Sequence, residues 1–198
     1  MDTMKETNPA GKSVIFIQAT AMLRYFIAIC IMICLPSLRA VADSEAVWLK
    51  GVPLSQAIRI GTGKKVVIEI SDPDCRFSRR MVRYWNMRQD VTRYVFLIAL
   101  KNHLEAAEKA SFILCAADRA AAYREVYAGD LDFDEQEIDR HCDDHGLLEK
   151  HREFAAKMEV VSTPTYFIEG VKINGAKVRE IEQLLGGEKF PFDASDHE

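Results

Sequence analysis

The sequence has no excess of positive charge and no feature that divides the chain. Its 198 residues carry a formal net charge of −4, with 26 Lys and Arg against 30 Asp and Glu. Proteins that bind nucleic acid usually carry a basic stripe or patch, so this balance argues against a nucleic-acid partner. There is no internal repeat, low-complexity tract or linker. The length and the 48% hydrophobic content therefore predict one globular domain with a substantial core.

The apolar run near the N-terminus is too short to cross a bilayer. It extends from Tyr25 to Leu35, whereas a membrane-spanning helix needs about 17 to 25 residues. Arg24 precedes the run, and Ala40-Val41-Ala42 follows it with the small residues that a signal peptidase cuts behind. Residues 1–42 are therefore predicted to be a signal peptide of a periplasmic protein. The alternative is an uncleaved anchor in the inner membrane, with the domain facing the periplasm.

Cysteines are few, and their number is odd once the predicted signal is removed. Cys30 and Cys34 fall within residues 1–42, which leaves Cys75, Cys115 and Cys142. In an oxidising compartment three cysteines predict one pair and one free thiol.

Hydrophobic periodicity predicts an α/β domain. Strands are expected over 64–70, 94–100, 165–168 and 171–173, and helices over 55–60, from residue 77, within 103–157 and over 177–185. This order predicts a small mixed sheet flanked by helices, with a helical block inserted between the second and third strands. The expected boundaries are a lead-in over 43–64, a domain over 65–188 and a loose tail over 189–198.

Cys75 is the predicted nucleophile. It follows a strand directly and stands in the first turn of a helix, where free N–H groups and the helix dipole favour an anion. Arg76, Arg79 and Arg80 add positive charge nearby. Both effects favour the thiolate, which is the form that attacks a disulfide. The alternative is an inert, buried cysteine.

Ser78 lies one helical turn after Cys75, so its hydroxyl is expected within reach of the sulfur. It can donate to the thiolate, but it cannot resolve a mixed disulfide. Ser78 is equally compatible with being an ordinary residue of a first helical turn.

Two further features are ambiguous from the residues alone. Thr163-Pro164 precedes a strand, and because only about 5–6% of X-Pro bonds are cis, a trans turn is favoured. Cys115 and Cys142 fall in separate predicted helices. Pairing them would close a loop worth about 3 to 4 kcal/mol. A structural disulfide is favoured. The alternative is two separate thiols, either of which could act as a distant partner for Cys75.

Neither a metal site nor a cofactor is predicted. Asp130, Asp132 and Asp134 are followed by residues that do not complete a calcium loop. His141, Cys142 and His145 have no fourth ligand for zinc.

Several segments between about Pro53 and Leu185 resemble the thioredoxin-fold domain of the DsbC/DsbG family of periplasmic disulfide isomerases. They include VVIEISDPDCRFSRRM, CAADRAAAYREVYAG and VVSTPTYFIEGVKINGA. The resemblance implies a thioredoxin-like fold with a helical insertion, and it places Cys75 as the attacking cysteine. It also implies that Thr163-Pro164 is a cis-proline loop beside the sulfur that offers backbone groups to a substrate.

The resemblance further implies a structural disulfide between Cys115 and Cys142. Arg76 and Phe77, which follow the attacking cysteine, are expected to contact the substrate together with the cis-proline loop.

The sequence departs from the family pattern in two places. The family site is Cys-x-x-Cys. Here Ser78 stands in place of the second cysteine, so this site cannot carry out a dithiol redox cycle. Only about twenty residues separate the predicted cleavage point from the first predicted strand, too few for the family's N-terminal dimerisation domain, so a monomer is expected.

The predicted function is isomerase-like thiol–disulfide interchange on exported proteins through Cys75 alone. A client thiol or a periplasmic thiol reductant would release the cysteine. One alternative is a redox-inactive binding module or chaperone for secretion or conjugation components. Another is a monothiol protein that handles glutathione adducts.

Overall fold

The structure is a computed structural model that describes residues 44–132 and 142–186. The predicted signal peptide and tail, with Cys30, Cys34, Asp134 and His141, lie outside the described residues. Within 44–132 and 142–186, no helix is long and apolar enough to cross a membrane. The chain divides into two units at Lys50, and the described part of the first is a 3-10 helix over Ser44–Leu49.

The second unit is built on a mixed five-stranded sheet. Its strands are β1 (Ile58–Ile60), β2 (Lys65–Ser71), β3 (Val91–Leu97), β4 (Thr165–Ile168) and β5 (Val171–Asn174). Its helices are α1 (Arg76–Met87), α2 (Ala106–Cys115), α3 (Arg119–Ala128), α4 (Leu147–Lys157) and α5 (Val178–Leu185). The strand order is β1-β3-β2-β4-β5, with β2 and β3 parallel and every other pair antiparallel. The predicted α/β class and the helical insertion before β4 are confirmed.

The helix predicted over 55–60 is wrong. Ile58–Ile60 is an edge strand that pairs antiparallel with β3, with Ile58 opposite Val95 and Ile60 opposite Arg93. The side chain of Ile58 is buried in the core. A helical period cannot be recognised in a segment of three residues. Their extended conformation comes from pairing with β3.

Two other boundaries differ from the prediction. β3 begins at Val91 instead of residue 94, because Val91 and Thr92 continue the parallel pairing opposite Lys65 and Val66. The helical block is broken between Cys115 and Arg119, where Asp118 caps α3 by accepting a 2.9 Å hydrogen bond from the Ala121 N–H. The described residues 142–146 are not helical, and α4 begins after them.

The helices fall into two groups according to the buried cluster to which they contribute. Helices α2 and α3 supply one cluster with Ile113, Leu114, Tyr123 and Val126. Helices α1 and α5 supply the other, with Met81, Tyr84, Trp85 and Ile181. Strand residues complete both clusters, so the helices pack against the sheet.

An ion pair is buried within the sheet between β2 and β3. The Arg93 guanidinium donates to Glu69 at 2.6 Å, and both side chains are almost fully buried. Burial opposes the charge on Arg93, but Tyr123 and Glu69 raise its pKa overall. Removing one partner would leave an uncompensated buried charge, so the pair helps to fix β2 beside β3.

Candidate active site

Cys75 stands at the junction between β2 and α1. It is the N-cap residue of α1, with extended backbone angles (φ −74°, ψ 114°). Its N–H donates to Asp72 O at 3.1 Å, and its carbonyl accepts from the Arg79 N–H at 3.0 Å. An N-cap side chain normally accepts from N–H groups of the first turn, but the thiol makes no such bond here. A thiolate at this position would face those donors.

The sheet register brings Thr163-Pro164 to Cys75. β4 runs antiparallel to β2 with Thr165 opposite Ile70, so residues before β4 lie beside residues after β2. The Cys75 thiol donates to the Thr163 carbonyl at 3.3 Å, and the Thr163–Pro164 peptide is cis. The trans bond favoured by local sequence is therefore wrong, and the cis bond implied by the resemblance is present.

The cis-proline loop is fixed on its far side by β5. The Pro164 carbonyl accepts a 2.7 Å hydrogen bond from the N–H of Gly175. Gly175 has a φ of +87°, a conformation that glycine adopts without the steric cost of a Cβ. The position of the Thr163 carbonyl near the sulfur thus depends on the turn that follows β5.

Ser78 is enclosed one turn after Cys75. Its side chain is 0% exposed. Among the described residues its Oγ has no hydrogen-bond partner, and the same is true of the buried Thr163 Oγ1. The expected hydrogen bond from Ser78 to Cys75 is therefore not formed while the sulfur donates to Thr163. Among the described residues no other group is hydrogen-bonded to the Ser78 hydroxyl, so it is available to donate a hydrogen bond to a Cys75 thiolate.

The positive charge of Arg79, which was predicted to favour the Cys75 thiolate, is matched by acidic residues. Its guanidinium donates through two nitrogens to Asp132 and lies 3.4 Å from Asp74. Lys109 contacts the same two carboxylates at 2.9 and 2.7 Å. The hydrogen bond from Arg79 is the main reason that the pKa of Asp132 falls to about 2. Arg79 therefore anchors the loop before Cys75.

Asp72 organises that loop from within and was not singled out by the sequence analysis. Its carboxylate is buried and accepts from the N–H groups of Asp74 at 2.8 Å and Leu100 at 2.7 Å. His103 Nδ1 lies 3.0 Å from the same carboxylate. Asp72 could have been identified from the sequence, because it is an acidic residue that follows directly after a buried strand. Lys109 was also missed, although the helical period places it on the buried side of α2 beside Ala106 and Ala110.

Arg76 and Phe77 are exposed next to the sulfur. The Phe77 ring is 40% exposed. The Arg76 guanidinium carbon lies 4.7 Å from its centroid, and that of Arg80 lies 5.5 Å away. These distances are typical of cation–π contacts. The Phe77 ring and the Arg76 side chain are therefore exposed beside Cys75, whereas Arg80 is half-buried.

Cys115 and Cys142 form a disulfide. The bridge joins the last residue of α2 to the segment before α4, with the two Cα atoms 6.3 Å apart. Within the described residues Cys75 is consequently the free cysteine.

The sequence matches no protein-family model and no curated protein. Solved structures are similar to the fold. A disulfide interchange protein from Neisseria gonorrhoeae is 26% identical, with a TM-score of 0.54, over 67% of this chain and 96% of that one. ScsC from Proteus mirabilis is 15% identical, with a TM-score of 0.53, over 86% of this chain and 93% of that one. A conserved protein of unknown function from Enterococcus faecalis V583 has a TM-score of 0.54 at 13% identity, over 73% of this chain and 98% of that one. The predicted thioredoxin-like fold is thereby confirmed.

Proposed function

We propose that the protein is a periplasmic thiol–disulfide interchange protein that acts on exported polypeptides through Cys75 alone. The observation that carries the proposal is the free Cys75 thiol at the start of α1, 3.3 Å from the Thr163 carbonyl of a cis-proline loop. The similarity to a disulfide interchange protein at 26% identity supports the same chemistry. Residues 1–42 would direct export.

The proposed reaction exchanges disulfides without net oxidation. The Cys75 thiolate attacks one sulfur of a client disulfide, the client S–S bond breaks, and its second sulfur leaves as a thiolate. A client thiolate then attacks the client sulfur of the mixed disulfide. A new client disulfide forms and Cys75 leaves as a thiolate. Because position 78 is serine, release depends on a client thiol or on an external thiol reductant.

The residues around the sulfur suit an extended polypeptide. Phe77 is exposed on the helix side of Cys75, and Val161, 84% exposed, lies two residues before Thr163 on the loop side. Apolar side chains accessible on both sides would contact the client, while the backbone near Pro164 would align its chain. Ser78 would donate to the thiolate after the sulfur releases the Thr163 carbonyl.

The test is recovery of activity from a scrambled multi-disulfide protein, with the protein from Asp43 onward and a glutathione buffer. We expect the recovery rate to rise with wild-type protein and to return to the uncatalysed rate with Cys75→Ser. A mixed disulfide should be visible on a non-reducing gel in the wild-type samples alone. Absence of both the adduct and the acceleration would reject the proposal.

A further inference from the structure

The Thr163 carbonyl lies just beyond the paired strands of the sheet. The last pair between β2 and β4 is Ile70 opposite Thr165, so the chain at Thr163 is outside that ladder. Among the described residues, the donor to the Thr163 carbonyl is the Cys75 thiol, 3.3 Å away, and not a backbone N–H. A thiol is a weak hydrogen-bond donor. A buried backbone acceptor at the site is therefore bound by a donor that a stronger one could replace.

A client would bring such a donor to the Thr163 carbonyl. A client disulfide must approach Cys75 before exchange, and in the mixed disulfide its sulfur lies about 2 Å from the Cys75 sulfur. The client backbone therefore reaches the carbonyl from the side that the thiol occupies. An amide N–H forms a stronger hydrogen bond than a thiol, and a buried carbonyl needs a partner. The neutral thiol and a client N–H thus compete for the same acceptor.

Ionisation of Cys75 would remove this competitor. A thiolate has no proton to donate, and its charge is repelled by the carbonyl oxygen, so the sulfur has to turn to other donors. The first-turn N–H groups of α1 are one source. The hydroxyls of Ser78 and Thr163 are another, because both are buried and neither has a partner among the described residues. The site therefore has two arrangements, and the carbonyl is open to a client in the second.

We propose that ionisation of Cys75 controls client docking through the Thr163 carbonyl, an inference that rests on the proposed interchange function. While the thiol keeps its proton it occupies the carbonyl. Once the proton has passed to solvent, the carbonyl accepts a client N–H, and we expect docking to strengthen by about 3- to 10-fold. Coupling between two binding events is reciprocal, so a docked client also promotes ionisation. The nucleophile is then formed mainly where a client is in place.

A peptide that cannot react tests this coupling. It carries alanine in place of the client cysteine, neutral flanking residues, blocked termini and a pH-insensitive fluorescent label. Its affinity is measured by anisotropy between pH 6 and pH 9 in reducing buffer. We expect the affinity for the wild type to rise with pH in parallel with the ultraviolet absorbance of the Cys75 thiolate. Saturating peptide should move that absorbance change to lower pH by the same factor.

Two substitutions of Cys75 define the two arrangements. Cys75→Ala leaves the Thr163 carbonyl without a thiol, so the peptide should bind tightly at every pH. Cys75→Ser keeps a hydroxyl that donates to the carbonyl throughout the range, so the peptide should bind weakly at every pH. The wild type should change from the serine value to the alanine value as the pH rises. All three proteins keep the other charged groups around this loop, so the titration of those groups contributes equally. These groups are Asp72, Asp74, Arg76, Arg79, Arg80, His103, Glu105, Lys109 and Asp132.

Replacing single amides of the peptide by esters identifies the hydrogen bond. One ester should bind at pH 9 as weakly as the parent peptide binds at pH 6, because it lacks the N–H that the Thr163 carbonyl accepts. Equal affinities of the Cys75→Ala and Cys75→Ser proteins overturn the inference, as does a wild-type affinity that does not change relative to Cys75→Ala, or no binding to Cys75→Ala. If Cys75 fails to exchange with disulfides while peptide affinity still follows its ionisation, the interchange function is rejected and the coupling stands.

Discussion

At the scale of single residues, Ser78 decides which chemistry is open to Cys75. It is fully buried one turn after the sulfur, and its Oγ has no partner among the residues that the structure describes. Ser78→Cys should therefore place a second sulfur within bonding reach of the first. We expect this variant to form an intramolecular disulfide and to gain catalysis of insulin reduction by dithiothreitol, measured by turbidity and by mass spectrometry.

Ser78→Ala is the matched control for this gain. It removes the unpartnered hydroxyl without adding a thiol, so it should keep exchange through Cys75 and show no intramolecular disulfide. A Ser78→Cys protein whose two thiols stay reduced under mild oxidation would contradict the geometry inferred for position 78.

Asp132 should contribute to stability in a pH-dependent manner. Arg79 lowers its pKa from the ordinary 3.8 to about 2, so the ionised form is favoured in the folded state. A lowered carboxyl pKa adds stability at pH values above about 4, and this contribution is lost as the pH falls toward 2. Asp132→Asn should cost about 1 to 3 kcal/mol at pH 7, because Arg79 and Lys109 lose a charged partner.

Urea unfolding between pH 7 and pH 2.5 measures this effect. The difference between wild type and Asp132→Asn should shrink below pH 4. Glu153→Gln, which removes one exposed carboxylate from α4, should leave the unfolding curve nearly unchanged. A pH-independent difference for Asp132→Asn would mean that packing, and not ionisation, is responsible.

Cys75 and Ser78 could be identified from the sequence, whereas the contacts that hold the loop around them could not. Position after a strand and spacing along a helix are local properties, so they can be seen in the chain. The contacts from Arg79 to Asp132 join residues 53 positions apart, and Asp72 contacts the chain 28 positions away at Leu100. Such pairs depend on how α1, the turn after α3 and the segments after β2 and β3 are brought together, which no local pattern determines.

At the scale of secondary-structure elements, the disulfide between Cys115 and Cys142 restrains the helical insertion. The bond joins α2 to the segment before α4 and closes a separation of 27 residues. Restricting the unfolded chain over a loop of that size stabilises the fold by about 3 to 4 kcal/mol. The double variant C115A/C142A should lower the free energy of unfolding by this amount in urea titrations.

The same variant separates stability from chemistry. Cys75 lies outside the bridge, so folded C115A/C142A should still form a mixed disulfide with a client at low denaturant concentration. An unchanged urea midpoint would show that the loop is already restrained by the packing of α2 and α4.

The strand at the centre of the sheet could be predicted from its own sequence. The edge strand could not, because it forms by pairing with its neighbour. β2 is a nearly continuous apolar and β-branched run, interrupted by Glu69, and it was predicted within one residue. β1 has three residues and exists because Ile58 and Ile60 pair with β3. The break between α2 and α3 was missed because the alanine-rich sequence around it has high helix propensity, which the cap at Asp118 overrides.

At the scale of the whole molecule, His151 connects three parts of the domain. Its Nδ1 accepts from the Leu97 N–H at 2.9 Å, and its Nε2 lies 2.9 Å from the Gln56 carbonyl and so donates to it. The neutral ring on α4 thereby joins the end of β3 to the segment before β1. It also packs edge-on against Phe96, with the ring centroids 5.1 Å apart.

The free energy of unfolding should therefore decrease as the pH falls through the range in which histidine titrates. Burial lowers the pKa of His151 below 6.5, with a smaller contribution from Arg119, while the bond to Gln56 and the charge of Asp144 oppose the shift. Below pH 6.5 the unfolded state binds a proton that the folded state resists. The free energy of unfolding then decreases with falling pH, by at most about 1.4 kcal/mol per pH unit, until the folded state is protonated as well.

Urea unfolding of wild type, His151→Gln and His145→Gln between pH 8 and pH 5 tests this linkage. His151→Gln should be less stable at pH 8, because glutamine cannot reproduce both ring contacts, yet it should lose less stability on acidification. His145 is 87% exposed, so its variant should follow the wild-type curve. Parallel curves for all three proteins would assign the acid sensitivity to other groups. A flatter curve for His151→Gln alone would mean that protonating one buried ring loosens the joint between the helical insertion and the sheet that positions Cys75.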